Sequence, residues 1–113
     1  MDVQSDRKKL PEFLIVFCTC GSEEEAFSLA GAAVEKNLAA CVNILPAVQS
    51  IYRWNGEIQR ASEYLLIAKT TGESFEALRQ TLLDLHSYEN PEVAAIPIVD
   101  GAEKYLAWIR ASI

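Results

Sequence analysis

A chain of 113 residues, half of them apolar and with a formal net charge of −6, is long enough for one domain that buries about two-thirds of its surface. The acidic balance excludes nucleic acid and anionic membrane as main partners, since both demand a basic footprint. Three cysteines, an odd number, fit reduced thiols, so the chain reads as cytoplasmic.

Met1 to Glu12 is polar with a small basic cluster, Arg7-Lys8-Lys9, and reads as a disordered tail, leaving 13–113 as a single domain. The apolar run from Phe13 to Cys18 is too short for a signal-peptide core or a membrane span. Phe13 to Cys20 is a continuous β-branched and aromatic run, the pattern of a buried central strand. A helix follows: Ser22 with Glu25 forms a capping box, and Phe27, Ala30, Val34 and Leu38 give an apolar stripe at helical spacing.

Ala40 to Thr71 reads as one long β-hairpin closed by Asn55-Gly56, because both central residues of a type I′ turn need φ > 0. Arms of fifteen residues each make a ribbon of roughly 50 Å at about 3.3 Å per residue. A compact globule of this length is only about 35 Å across, so the ribbon must bend or protrude. Pairing across the turn puts Trp54, Tyr52, Val48, Ile44 and Val42 on one face with Leu65 and Ile67. Ile51, Ile58, Tyr64, Leu45 and Leu66 fall on the other. Pro46 cannot donate to a ladder, so a bulge is expected beside it, and the faces beyond it can slip by one residue. Neither face is cleanly polar, even near the tip, where Glu57 and Gln59 lie on one and Arg53 and Arg60 on the other, and an exposed apolar edge invites pairing with another chain. Tyr52, Trp54, Ile51 and Ile58 are therefore the expected contacts with other subunits.

A second helix is expected from Glu73 to His86, with Phe75, Leu78, Leu82 and Leu85 inward. Val93 to Val99 is a short strand that Pro97 places at an edge, and Asp100 and Glu103 cap a last helix carrying Tyr105, Leu106, Trp108 and Ile109. The order is βαββαβ with a trailing helix, an α+β, ferredoxin-like arrangement.

Six stretches resemble the CutA family, the divalent-cation tolerance proteins: Phe17-Cys18-Thr19, Lys36 to Asn43, Ile51 to Gly56, Lys69-Thr70, His86 to Glu92, and Tyr105 to Trp108. The resemblance implies a homotrimer similar to the PII signalling proteins, with hairpins wrapping neighbouring subunits and clefts between them. It implies no enzymatic activity, and it implies a metal ion, copper or another divalent metal, as the partner. Its proposed copper ligands carry over directly to Cys18 and Glu92. The family's histidine falls on Leu85 here, so His86 serves only if the loop is turned to present it.

The residues themselves allow the same chemistry. Thiolate, imidazole and carboxylate from Cys18, His86 and Glu92 make a mixed site suited to copper or zinc. Against it, His86 can cap a helix end and buried cysteines can act as small apolar residues, which is how Cys20 and Cys41 are read. A second group, Lys69 with Tyr88 and Trp54, offers an anion site in a cleft between subunits, the arrangement of a PII-like sensor. A ligand-free trimeric scaffold is the third reading. An acylphosphatase would need an arginine-bearing phosphate cradle after the first strand, and Thr19-Cys20-Gly21-Ser22 offers none; no nucleophile or acid–base group stands out.

Overall fold

A computed structural model describes residues 9–113; most of the expected tail, including Arg7 and Lys8, lies outside the described residues. The elements run β1 (Phe13–Cys20), α1 (Glu23–Glu35), β2 (Cys41–Trp54), β3 (Glu57–Thr71), α2 (Phe75–Leu85), β4 (Val93–Pro97) and α3 (Glu103–Ala111). The sheet order is β2-β3-β1-β4 with antiparallel neighbours throughout, which is the ferredoxin-like arrangement expected. β1 sits in the middle, as its uninterrupted apolar run requires, and β4, with Pro97, closes one edge.

One face of the sheet carries the core. Val16, Cys18 and Cys20 of β1 and Leu66 and Ala68 of β3 pack there against Leu29, Ala30 and Ala33 of α1 and Leu78 and Leu82 of α2. The stripe expected on α1 needs correction: Phe27 is 63 % exposed and Val34 is also exposed, while Ala26, Leu29, Ala30 and Ala33 are buried. Alanines let the helix axis approach the sheet, and that closeness outweighs the larger apolar area of Phe27. Leu38 falls beyond the helix. Asn37 takes φ 58°, and the Leu38 and Asn37 amides donate to the Ala33 and Val34 carbonyls, a Schellman ending.

The hairpin turn is as expected, with Asn55 at φ 51° and Gly56 at φ 81°. A register shift separates Leu45 from Val48, and Ala47 there takes φ 60°, so the bulge lies beside Pro46. It overturns part of the face assignment. Val42 and Ile44 pair with Ala68 and Leu66 and join the helix-covered core, whereas Leu45 pairs with Leu65 on the open face. One extra residue inverts every side chain on the far side of it. The long ribbon raises the radius of gyration to 15.0 Å, against about 13 Å for a compact chain of this length, and the greatest extent of 41 Å shows that the ribbon bends.

α3 lies over the open face, where Arg110 stacks 5.2 Å from the Phe13 ring centroid and pairs with Glu12 at 2.8 Å. Of its four apolar residues only Ile109 is buried. Tyr105 and Trp108 are exposed and stacked on each other at 5.8 Å. Asp100 does not cap this helix: the N-cap is Ala102, with no side-chain bond, and Asp100 Oδ1 accepts the Gly101 amide two residues outside the helix. β4 ends at Pro97, two residues short of the expected Val99, and Leu85 at the end of α2 points to solvent.

Candidate functional site

The chain leaves α2 at His86, whose backbone turns extended at φ −72°, ψ 143°, and the loop 86–92 crosses the ends of β1 and β3. His86 Nε2 lies 2.7 Å from the Thr19 carbonyl oxygen, and the Tyr88 amide nitrogen lies 3.1 Å from Nδ1. A carbonyl only accepts and an amide N–H only donates, so Nε2 carries the proton and Nδ1 is bare. Both imidazole nitrogens are engaged, and the side chain has no solvent exposure.

Glu25 holds the loop from the other side. Its carboxylate accepts the Ser87 amide at 2.7 Å and the Ser87 hydroxyl at 2.9 Å, and it lies 3.7 Å from His86 Nδ1. Burial alone would push this carboxyl up; the Ser87 amide and hydroxyl and the Gly21 amide outweigh it and hold the pKa below its ordinary value. Ser22 Oγ accepts the Glu25 amide as the capping box requires, but the Glu25 carboxylate is spent on the loop.

Tyr88 then reaches across to β3, donating its phenol proton to Glu63 Oε2 at 2.7 Å. Glu63 is 7 % exposed. Burial, and then the Glu63 acceptor, push the Tyr88 pKa above its ordinary value. Gly21 makes room for this contact: a Cβ there would sit 3.2 Å from the phenol oxygen.

Around these residues the bent hairpin tip closes a groove of about 710 Å³, lined by Trp54, Tyr52, Tyr88, Glu63, Glu89 and Glu92 among others. Tyr52, Trp54, Tyr88 and Glu92 thus line one groove, and Ile51 lines it with them. Cys18 and His86 stand behind the wall. Burial, followed by Cys20 and Glu92, pushes the Cys18 thiol up to about 12, so at neutral pH it is a thiol. Among the described residues, no three His, Cys, Asp or Glu side chains are gathered to hold a metal ion, and Cys18, His86 and Glu92 do not form a ready ligand set. Lys69 is at the opposite end of the hairpin, bonded to Asn43 Oδ1 and 3.9 Å from Cys41 Sγ, away from Tyr88 and Trp54. Ile58 is 59 % exposed on the tip's other face.

Sequence reasoning missed Glu63, Thr19 and the second role of Glu25. Glu63 had a signal: a charged residue on the approach to Leu65 and Ile67, facing the side on which Tyr52 and Trp54 lie. Glu25 had none, since its partner is 62 positions away.

Residues 14–112 match the family of the CutA1 divalent ion tolerance protein. The chain belongs to the CutA1 family. It is 48 % identical over 96 residues to the divalent-cation tolerance protein CutA of Thermus thermophilus, covering 85 % of this chain and 93 % of the relative. It is 40 % identical over 110 residues to a chloroplastic CutA protein of Arabidopsis thaliana, covering 97 % of this chain and 60 % of the relative. A solved structure of the periplasmic divalent cation tolerance protein CutA of Archaeoglobus fulgidus superposes with a TM-score of 0.86 at 40 % identity, covering 88 % of this chain and 97 % of that one. The CutA1 ferredoxin-like sheet with its long hairpin is therefore the frame on which the groove is built.

Proposed function

We propose that the chain acts in divalent-cation tolerance as a cytoplasmic homotrimer that takes up divalent metal ions, copper among them, weakly and reversibly at the groove beneath the hairpin tip. The observation that carries this reading is the groove itself, whose lining includes the carboxylates of Glu63, Glu89 and Glu92, spread along it rather than gathered into a cage. Open carboxylate oxygens exchange divalent ions readily, and low ligand charge and rigidity weaken calcium sites to roughly 10⁻⁴–10⁻³ M. Of the three ligands the family resemblance implies, Glu92 faces the groove. His86 would have to surrender the Thr19 carbonyl or the Tyr88 amide, and Cys18 would have to lose its proton in a buried place, so both weaken rather than tighten the site. Free Cys18, Cys20 and Cys41 support a reducing compartment. Exposed Tyr52, Trp54, Ile51 and Ile58 on the tip support cover by further copies, each ribbon lying against a neighbour. An anion site on Lys69, Tyr88 and Trp54 has less support, because Lys69 is far from the other two within one chain.

Light scattering at micromolar concentration is expected to give about three times the 12.5 kDa chain mass. Calorimetric titration with copper and zinc should show weak binding that Glu92→Gln reduces and Cys18→Ser leaves in place. A monomer would overturn the assembly, and metal binding lost in Cys18→Ser and His86→Ala but kept in Glu92→Gln would move the ligands behind the groove wall.

A further inference from the structure

The hairpin tip has two faces of opposite chemistry. Cross-strand pairing sets Arg60 opposite Ile51 and Ile58 opposite Arg53, so these four share one face of the ribbon, while alternation turns Tyr52, Trp54 and Glu63 to the other. Over this stretch the first face holds two isoleucines, two arginines and no carboxylate. Ile51 is 70 % and Ile58 59 % exposed, and Arg60 is exposed too, with no ion-pair partner among the described residues. The second face opens on the groove, whose lining brings the carboxylates of Glu63, Glu89 and Glu92 together with the rings of Tyr52, Trp54 and Tyr88. Glu63 is committed to the Tyr88 hydroxyl. Glu89 and Glu92 are exposed and have no ion-pair partner among the described residues. The one cation in the lining, Arg53, donates to the Gly56 carbonyl at the turn. A basic, apolar face and an acidic, aromatic groove complement each other, and a guanidinium both pairs with carboxylates and stacks on rings. One ribbon cannot turn both its faces to the same groove, so the face that fits belongs to another copy.

We propose that the groove seats the hairpin tip of a second copy of this chain, with Ile58 of that copy against the rings of Tyr52 and Trp54 and its Arg60 paired with Glu89 and Glu92. The inference rests on the homotrimer reading and names the surfaces that meet in it. Groove and outer tip face are different patches, so the contact is head-to-tail, and such contacts close into a ring when the rotation between copies allows it. Each copy then gives one tip and receives one, which covers the exposed isoleucines and the rings together. Glu89 and Glu92 are shared in such a ring: a divalent ion competes with the partner's Arg60 for the same oxygens, in keeping with weak and reversible uptake.

The test is a charge swap in the full chain, read by light scattering over a dilution series at low salt. Arg60→Glu should move dissociation to a protein concentration roughly tenfold higher or more, because like charges then face each other across the contact. Glu89→Arg with Glu92→Arg should do the same from the groove side. All three substitutions in one chain restore opposite charges and should recover most of the loss, whereas two unrelated structural defects would add. Thermal melts of the same four proteins at two concentrations report the contact where dilution leaves the ring closed. A trimer indifferent to Arg60→Glu in both measurements, or a triple variant weaker than either parent, overturns the seating and leaves the homotrimer standing. Assembly lost in Glu89→Arg with Glu92→Arg but kept in Arg60→Glu also overturns it, by showing that a different surface fills the groove. A wild-type chain that is monomeric at micromolar concentration removes the homotrimer and the seating together.

Discussion

The two halves of the hairpin are made of the same ribbon and do different work. At the root, Leu66, Ala68 and Thr70 are buried, and Thr70 Oγ1 donates to the Leu38 carbonyl at 2.6 Å, locking β3 to the end of α1. At the tip, Ile51 is 70 % exposed and Ile58 and Trp54 stand open, with residues just as apolar as those of the root. Apolarity alone therefore does not decide burial within one chain; reach does. The root lies under α1 and α2, while the tip extends past every helix. The bulge at Ala47 divides them and lets one continuous strand feed the core on one side and a groove on the other.

The sharpest way to break this comparison is to truncate one residue in each half and vary the protein concentration. Leu66→Ala should cost about 2–5 kcal/mol of unfolding free energy, with the same loss at every concentration. Trp54→Ala should act through assembly, so its penalty in thermal melts should depend on concentration. Equal, concentration-independent losses would erase the distinction between root and tip.

A smaller effect concerns the 86–92 loop, which joins α2 to β4 beside the tip. Glu25→Gln removes the charge that holds Ser87 and is expected to cost about 1–3 kcal/mol. Because the folded Glu25 pKa lies below its ordinary value, its contribution is present above the unfolded pKa of about 4.3 and lost as pH falls through the folded value. Urea midpoints measured from pH 7 down to pH 3 should therefore converge for wild type and variant at the acid end. Parallel curves across that range would mean the carboxylate is not what clamps the loop.

The smallest effect is at the bulge. Ala47 holds φ 60°, a conformation that favours glycine, so Ala47→Gly should leave the fold intact and stabilise it by up to about 1 kcal/mol. Destabilisation would mean that the Ala47 methyl group packs more than its backbone strains.

Most of the frame was legible because it is written locally. The apolar run of β1 and the Asn55-Gly56 turn each carry their signal within a few residues, and Pro46 announced the bulge. What it did to Val42, Ile44 and Leu45 was not legible, since a one-residue slip leaves composition and spacing untouched. The buried face of α1 was misjudged because hydrophobicity ranks Phe27 above Ala26, whereas a helix lying close on a sheet needs the smaller residue. The groove was the least legible part. Trp54, Tyr88 and Glu92 stood out by type, but the bonds that shape it join Glu25 to Ser87 and Glu63 to Tyr88, and no local pattern encodes such pairs.

The bond from His86 to Thr19 spans 67 positions of chain, and the β1–β4 ladder that flanks it joins residues as remote as Leu14 and Pro97. The β2–β3 ribbon, by contrast, zips outward from a two-residue turn. Loop-closure entropy penalises the remote contacts most, so the ribbon forms early in folding and the 86–92 loop docks late. The same ordering governs opening of the native protein, where the most weakly held unit detaches first. Amide exchange at Tyr88 is expected to outrun exchange at Leu66, and equal protection at the two would contradict it. Exchange in that order would make the groove wall the part of the molecule that opens while the sheet stays closed.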